Sequence, residues 1–153
     1  MKRGWRQRLS LRWIPKKVNE AFIDTNVLLR HLLQDHEDHS PRSTRLLQAV
    51  ARGEIRAHIS ETVVFETLYT STSFYKAPRP EIADALSELL HLSGLVLDHK
   101  QEILEAIVLW VRETPLSFAD CYHLVLTKAL GLTEIYTFDK KMGRYPGVTR
   151  IEP

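Results

Sequence analysis

Cysteine is almost missing from this sequence, because Cys121 is the only one in 153 residues. A single cysteine excludes an internal disulfide and a zinc site built from several thiolates, and it fits a reducing cytoplasm. Long hydrophobic runs are missing too: no apolar stretch approaches the roughly 18 residues that a membrane span needs. The chain also lacks GxGxxG and GxxxxGK motifs, which argues against the nucleotide-binding folds that use those loops. We therefore expect a cytoplasmic protein without a membrane segment.

Positive charge is concentrated at one end of the chain. Residues 1–20 contain seven basic residues and one acidic residue, whereas the whole chain has a net charge of +2. We therefore divide the sequence into a basic extension, 1–20, and a single domain, 21–153. The extension is typical of a tail that binds a polyanion such as nucleic acid. A solvated segment without a role, a transit peptide and a natural start near Val18 are alternatives that the sequence leaves open.

From residue 21 onward, short apolar runs alternate with amphipathic stretches. This alternation is typical of an α/β fold, and 44% hydrophobic residues suffice for one core. The predicted strands cover about 21–24, 55–59, 95–97, 135–138 and 148–151. The predicted helices cover about 26–34, 41–52, 61–75, 80–93, 99–113 and 118–130. We expect a central, mostly parallel sheet of about five strands flanked by helices.

Four acidic residues lie where such a fold places functional groups. Asp24 and Asp139 each end a predicted strand, and ligands of open parallel sheets bind at the carboxyl ends of the strands. Glu66 lies at the edge of the apolar stripe of a predicted helix, and Asp120 lies three residues after Ser117 at the start of another. Each acid alone has an ordinary explanation, namely helix capping for the aspartates and a solvated surface position for Glu66.

The segments that carry these acids occur in a recognisable order. They are FIDTNVLL, ISETVVFE, LSFADCYHLVLTKALG and IYTFDKKM. Together, over about residues 21–152, the chain resembles the PIN domain family of metal-dependent ribonucleases, particularly the small toxins of VapC type. The resemblance implies a PIN-like nuclease domain over 21–153 that cleaves RNA as the toxin of a type II toxin-antitoxin pair. It also implies a cognate antitoxin protein and a homodimer.

The resemblance also implies roles for individual residues. Asp24, Glu66, Asp120 and Asp139 match the acidic set that binds divalent metal, while Thr25, Asn26 and Thr137 match polar residues that orient carboxylates or water. An all-oxygen set favours Mg²⁺, or Mn²⁺, over zinc. Bound metal would lower the pKa of a water molecule and neutralise charge on phosphorus, so that no nucleophilic side chain is required.

Basic side chains must hold the RNA backbone, because a carboxylate cluster repels it. Lys140, Lys141 and Arg144 directly follow Asp139, and a solubilising loop is the alternative explanation for these three. Further candidates are Arg30, Arg42 and Arg45.

Two other functions compete with the nuclease. A PIN-like RNA-binding or scaffold module without catalysis is one, although all four acids are present. A phosphatase of the haloacid dehalogenase type is the other, but that family uses DxD, and Asn26 stands at the position of the second acid.

Overall fold

Strands and helices alternate along the chain in the computed structural model, which describes residues 17–113 and 115–153. The strands are β1 (Asn19–Phe22), β2 (Ile55–His58), β3 (Leu95–Val96), β4 (Glu134–Tyr136) and β5 (Thr149–Ile151). The α-helices are α1 (Thr25–Leu33), α2 (His39–Ala51), α3 (Glu61–Tyr69), α4 (Arg79–Leu90), α5 (Lys100–Arg112) and α6 (Phe118–Ala129). The predicted α/β class is confirmed. The predicted basic extension lies almost entirely outside the described residues.

The strands form two parallel groups rather than one sheet. Main-chain hydrogen bonds join β1, β2 and β3 in that order, with Phe22 paired to His58 and Ala57 paired to Leu95. Strands β4 and β5 form a separate parallel pair. The prediction of one sheet of about five strands is therefore wrong for the part of the chain that the structure describes. Strands of two to four residues have few main-chain N–H and C=O groups for hydrogen bonds. In this structure those bonds form within the three-stranded sheet and within the β4–β5 pair, rather than between them.

Helices supply most of the core. In α5, Ile103, Ala106, Ile107 and Trp110 are all buried, and their spacing places them on one face of the helix. That face packs against α4 and α6, which contribute Leu86 and other aliphatic side chains. None of the helices in the described ranges is both long and apolar enough to cross a membrane.

The helix predicted for residues 61–75 changes its winding part-way. Helix α3 continues into a π-helix, Thr70–Phe74, that has one more residue in each hydrogen-bonded turn. The Thr72 hydroxyl donates to the carbonyl oxygen of Leu68 at 2.8 Å, and such side-chain bonds compete with regular helix bonds. The Ser71 hydroxyl is buried and has no hydrogen-bond partner among the described residues. The wider turn begins four residues after Glu66.

The β4–β5 pair is held against the helices by the segment between its strands. That segment contains a 3₁₀-helix, Lys140–Arg144. Met142 and Val148 are buried in the main core, and the Tyr145 hydroxyl donates to Glu105 Oε1 at 2.9 Å. Helix α5 therefore positions the segment that follows Asp139.

Gly94 lies where β3 passes α2, and there is no room for a side chain. A Cβ at this position would lie 2.5 Å from the carbonyl oxygens of Ile55 and Val50. We expect Gly94→Ala to lower the free energy of unfolding by about 2–3 kcal/mol, because main-chain atoms must move. Urea unfolding followed by circular dichroism measures this, with Gly143→Ala as the control, since its Cβ would meet nothing closer than 3.9 Å. Equal stability of the two variants would contradict the expected clash.

Candidate active site

The register of β1 against β2 brings the starts of α1 and α3 to the same level. Phe22 pairs with His58, and two residues further along each strand lie Asp24 and Ser60, the N-cap residues of α1 and α3. The acid predicted to end β1 therefore lies just beyond the strand, at the start of a helix. This is the carboxyl edge of the three-stranded sheet, where parallel α/β folds bind their ligands.

Asp24 occupies a cap position without acting as a cap. Its side chain makes no capping hydrogen bond to α1, whereas Ser60 Oγ accepts from the backbone N–H of Val63 at 3.4 Å in α3. The Asp24 carboxylate is also exposed to solvent. Capping therefore does not explain this aspartate, and its oxygens remain available to a ligand.

Glu66 is joined to the residue that follows Asp24. The buried Thr25 hydroxyl donates to Glu66 Oε2 at 2.5 Å, across 41 positions in the sequence. Glu66 itself is exposed, while Val63 and Thr67 on the same helix are buried. The hydrogen bond is what we expect of a threonine that orients a carboxylate, and it places Glu66 beside the start of α1. Asn26 is exposed at the same helix start.

Asp120 begins the helix that packs against α3. Its carboxylate accepts from the backbone N–H of Ser117 at 2.9 Å, and Ser117 Oγ accepts from the N–H of Asp120 at 3.1 Å, which completes a capping box. The rings of Phe65 and Phe118 lie 4.8 Å apart and hold α3 against α6. Glu66 and Ser117 line the same cavity. The capping explanation is therefore correct for Asp120, which nevertheless lies on the segment facing Glu66.

Asp139 is held by its own segment. Its carboxylate accepts from the N–H of Lys141 at 2.9 Å and caps the 3₁₀-helix, while Thr137 Oγ1 accepts from the Asp139 N–H at 3.1 Å. Thr137 thus orients the main chain before the last acid. Within the described ranges, no hydrogen bond joins Asp139 to Asp24, Glu66 or Asp120.

The four acids do not form a ready-made metal centre. Among residues 17–113 and 115–153, no three acidic, histidine or cysteine side chains lie together as a group able to hold an ion. Carboxylate oxygens are the donors that Mg²⁺ prefers, and Asp24 keeps its own uncommitted. Asp120 and Asp139, in contrast, are engaged with main-chain N–H groups. The donor chemistry of the four acids fits a hard cation such as Mg²⁺.

The predicted cations fall into two groups. Arg30 pairs with Asp35 at 2.7 Å and Arg42 pairs with Asp38 at 2.9 Å. The hydrogen bond from Arg30 lowers the pKa of the Asp35 carboxyl. In the part of the chain that the structure describes, no ion pair is formed by Arg45, Lys140, Lys141 or Arg144. The second group therefore presents the more available positive charge.

Two groups beside the acids are unsuited to act as nucleophiles. Cys121 is fully buried, and burial raises the pKa of its thiol to about 12. Tyr122 donates its hydroxyl to Glu61 Oε1 at 2.6 Å, and burial together with that bond raises its pKa. Both side chains belong to the packing between α3 and α6. Neither side chain is therefore a candidate nucleophile.

The arrangement agrees with a comparison against known families. The PIN domain model matches residues 21–148. The chain belongs to the PIN domain family. Among curated proteins, a VapC ribonuclease from Aquifex aeolicus (strain VF5) is 27% identical over 132 residues, which cover 86% of this chain and 96% of that relative. The resemblance inferred from the four acidic segments is confirmed at the level of the family.

Sequence reasoning missed the cavity beside Glu66. Tyr69 and Ser73 line it together with Glu66, and they follow Glu66 by three and seven residues, a spacing that would place all three on one face of the regular helix predicted for 61–75. That spacing was visible in the sequence. Arg79 also lines the cavity, but it comes from α4, and no local pattern connects it to Glu66.

The Thr25–Glu66 hydrogen bond gives a direct test of the site's geometry. We expect Thr25→Val to lower the free energy of unfolding by about 1 kcal/mol, because a buried hydroxyl bond is lost while the side-chain shape is kept. Thr25→Ser, which retains the hydroxyl, is the control and should lose less. Thermal and urea unfolding measure both variants. A valine variant as stable as the wild-type protein would show that the hydroxyl contributes nothing.

Proposed function

We propose that this PIN domain is an endoribonuclease that hydrolyses RNA phosphodiester bonds with the help of Mg²⁺, or of Mn²⁺. The observation that carries the proposal is the Thr25–Glu66 hydrogen bond. It joins the start of α1 to the second turn of α3 and places Glu66 beside Thr25, the residue that follows the uncommitted Asp24 at the carboxyl edge of the sheet. The similarity to a VapC ribonuclease supports RNA as the substrate.

Asp24 and Glu66 would hold the metal first, since neither carboxylate caps a helix. Asp120 and Asp139 would add the oxygens that their capping bonds leave free, Oδ1 of Asp120 and Oδ2 of Asp139. When bound, the ion supplies activation of a water molecule and neutralisation of charge on the phosphate. Thr25 keeps the Glu66 carboxylate in place, and Thr137 keeps the Asp139 backbone in place.

The same proposal includes a protein partner and a second copy of the chain. The sequence resemblance to VapC-type toxins implies an antitoxin that covers the acids and a homodimer of the nuclease in the cytoplasm. Large apolar side chains suit such contacts, because Phe22, Tyr136 and Phe138 are each more than 60% exposed. Size-exclusion chromatography with light scattering reports on the homodimer directly.

Metal and Asp24 should both be needed for cleavage. We expect purified protein to cut structured RNAs with Mg²⁺ and to stop when EDTA is added. Asp24→Asn should reduce the rate by roughly 100-fold or more, which is typical when a preorganised electrostatic group is removed. The control is Asp84→Asn, which neutralises an exposed aspartate on α4. Gel analysis of labelled RNA gives the rates, and equal activity of both variants would rule out a role for Asp24.

A second function has an observation in its favour. Among the described residues, no three acidic, histidine or cysteine side chains form a group able to hold a metal ion, as expected of a PIN domain that binds RNA without cutting it. RNA binding without cleavage under Mg²⁺ and Mn²⁺ would select this non-catalytic module. Release of phosphate from small monoesters would instead indicate a phosphatase.

Lys140 and Lys141 should hold the RNA backbone. Each phosphate contact with a single strand contributes about 0.7 to the slope of log affinity against log salt. Replacing both lysines with alanine should therefore weaken binding and reduce the slope by about 1.4. Fluorescence anisotropy on the Asp24→Asn background measures this without cleavage. The control is Arg52→Ala, which removes a cation near the opposite, amino-terminal end of β2 and should leave the slope unchanged. If Arg52→Ala changes the slope as much as the double lysine variant does, Lys140 and Lys141 do not hold the RNA at a specific site.

A further inference from the structure

A cavity of about 470 Å³ is lined by Glu66, one of the four acids. Its walls come from α3, the π-helix, α5 and the start of α6, with Arg79 at the start of α4. Its volume lies within the range of about 300–1,000 Å³ that small-molecule sites occupy. Neither capping nor metal binding by the four acids uses this space.

The cavity is continuous with the candidate active site. Glu66 lines it from α3 and Ser117 lines it from the start of α6, so both of its long walls carry residues of the site. An RNA strand whose phosphate lies at Glu66 has its adjacent nucleotide within reach of this space. The cavity is therefore placed to receive part of the substrate rather than an unrelated ligand.

Aromatic rings form much of the lining. Phe65 and Phe118 meet edge to face at 4.8 Å, and Trp110 lies behind Phe118 at 6.3 Å. Tyr69 stands at the rim with 73% of its surface exposed. An exposed aromatic ring beside a buried aromatic wall is the arrangement on which unstacked bases of single-stranded RNA stack.

Arg79 adds a fixed positive charge to this lining. Its Nη1 donates to the carbonyl oxygens of Trp110 and Leu116, both at 3.0 Å, and its guanidinium lies 4.8 Å from the centre of the Trp110 ring. No carboxylate pairs with Arg79 among the residues that the structure describes. The cation is therefore held rigidly and keeps donors for an anionic or acceptor-rich ligand, as RNA is.

The π-helix shapes the remaining wall. Thr72 and Ser73, which line the cavity, lie within this wider turn, and π-helical turns occur frequently at functional sites. Thr72 uses its hydroxyl on the helix backbone, whereas Ser73 is exposed. The Ser73 hydroxyl is thus available to the polar edge of a bound base.

We propose that this cavity binds the nucleotide next to the scissile phosphate and selects its base. The inference rests on the proposed ribonuclease function, because it assigns a subsite of the same substrate. The base lies against Tyr69, Arg79 supplies the cation, and Ser73 provides a hydroxyl to the base edge. A segment of a partner protein is the competing occupant, and the experiment distinguishes the two.

Binding is measured first, without cleavage. Fluorescein-labelled RNA octamers of single composition are titrated by anisotropy into Asp24→Asn protein, alone and combined with Tyr69→Ala. Loss of one stacked base weakens binding about fivefold or more, so we expect that loss for Tyr69→Ala. Phe74→Ala is the matched control, since Phe74 is 76% exposed on the same π-helix but does not line the cavity. An octamer with an abasic nucleotide at the selected position should bind equally to the Asp24→Asn protein and to the protein that combines Asp24→Asn with Tyr69→Ala.

Cleavage of a randomised RNA by otherwise wild-type protein then locates the selected position. We expect a base preference adjacent to the cut that Tyr69→Ala and Ser73→Phe remove and Phe74→Ala retains. If wild-type protein cuts RNA and Tyr69→Ala changes neither affinity nor preference, the base pocket is wrong while the nuclease stands. If nothing is cut but octamer binding still depends on Tyr69, the cavity binds a base, while the nuclease and the placement next to a scissile phosphate both fail. If Tyr69→Ala abolishes inhibition by the antitoxin but leaves RNA binding intact, the cavity binds the antitoxin and the proposal is overturned.

Discussion

The parallel register of β1 against β2 is the constraint on which the candidate site depends. Main-chain hydrogen bonds pair Phe22 with His58, and because both strands run in one direction, the residues that leave them emerge at the same edge. Two helices then start side by side, and Thr25 at one start reaches Glu66 in the second turn of the other. A slip of the register by one residue would turn every following side chain to the opposite face.

A cavity and a groove lie on either side of the Thr25–Glu66 hydrogen bond. On the α6 side lies the cavity lined by Glu66, Tyr69 and Arg79. On the other side, Asn26 and Arg30 line a groove between α1 and α2. The four acids differ in what they already bind: Asp24 is uncommitted, while Asp120 and Asp139 each accept one hydrogen bond at a helix start. Each of these two aspartates keeps its other carboxylate oxygen, so metal binding by them does not require a capping bond to break.

Helical periodicity predicted which side chains enter the core. The stripe that includes Ile103 and Trp110 is buried as its spacing indicates, and Glu66 is exposed at the edge of its own stripe. The pattern failed where pairing partners had to be chosen. Short strands such as β3 and β4 carry too little sequence to specify a neighbour, so the division into three and two strands was not predictable. The π-helix was equally hidden, because its hydrogen bonds use the same residues as a regular helix.

By itself, the sequence determined where along the chain the acids lie and which local element each one begins or follows. Apolar spacing and capping residues act over a few positions, so they are legible without a structure. Only the tertiary structure decided that Asp24 is not a cap, that Thr25 contacts Glu66, and that Arg79 shares a cavity with Glu66. Such contacts join residues tens of positions apart, and their distances follow from strand register and helix packing rather than from any local pattern.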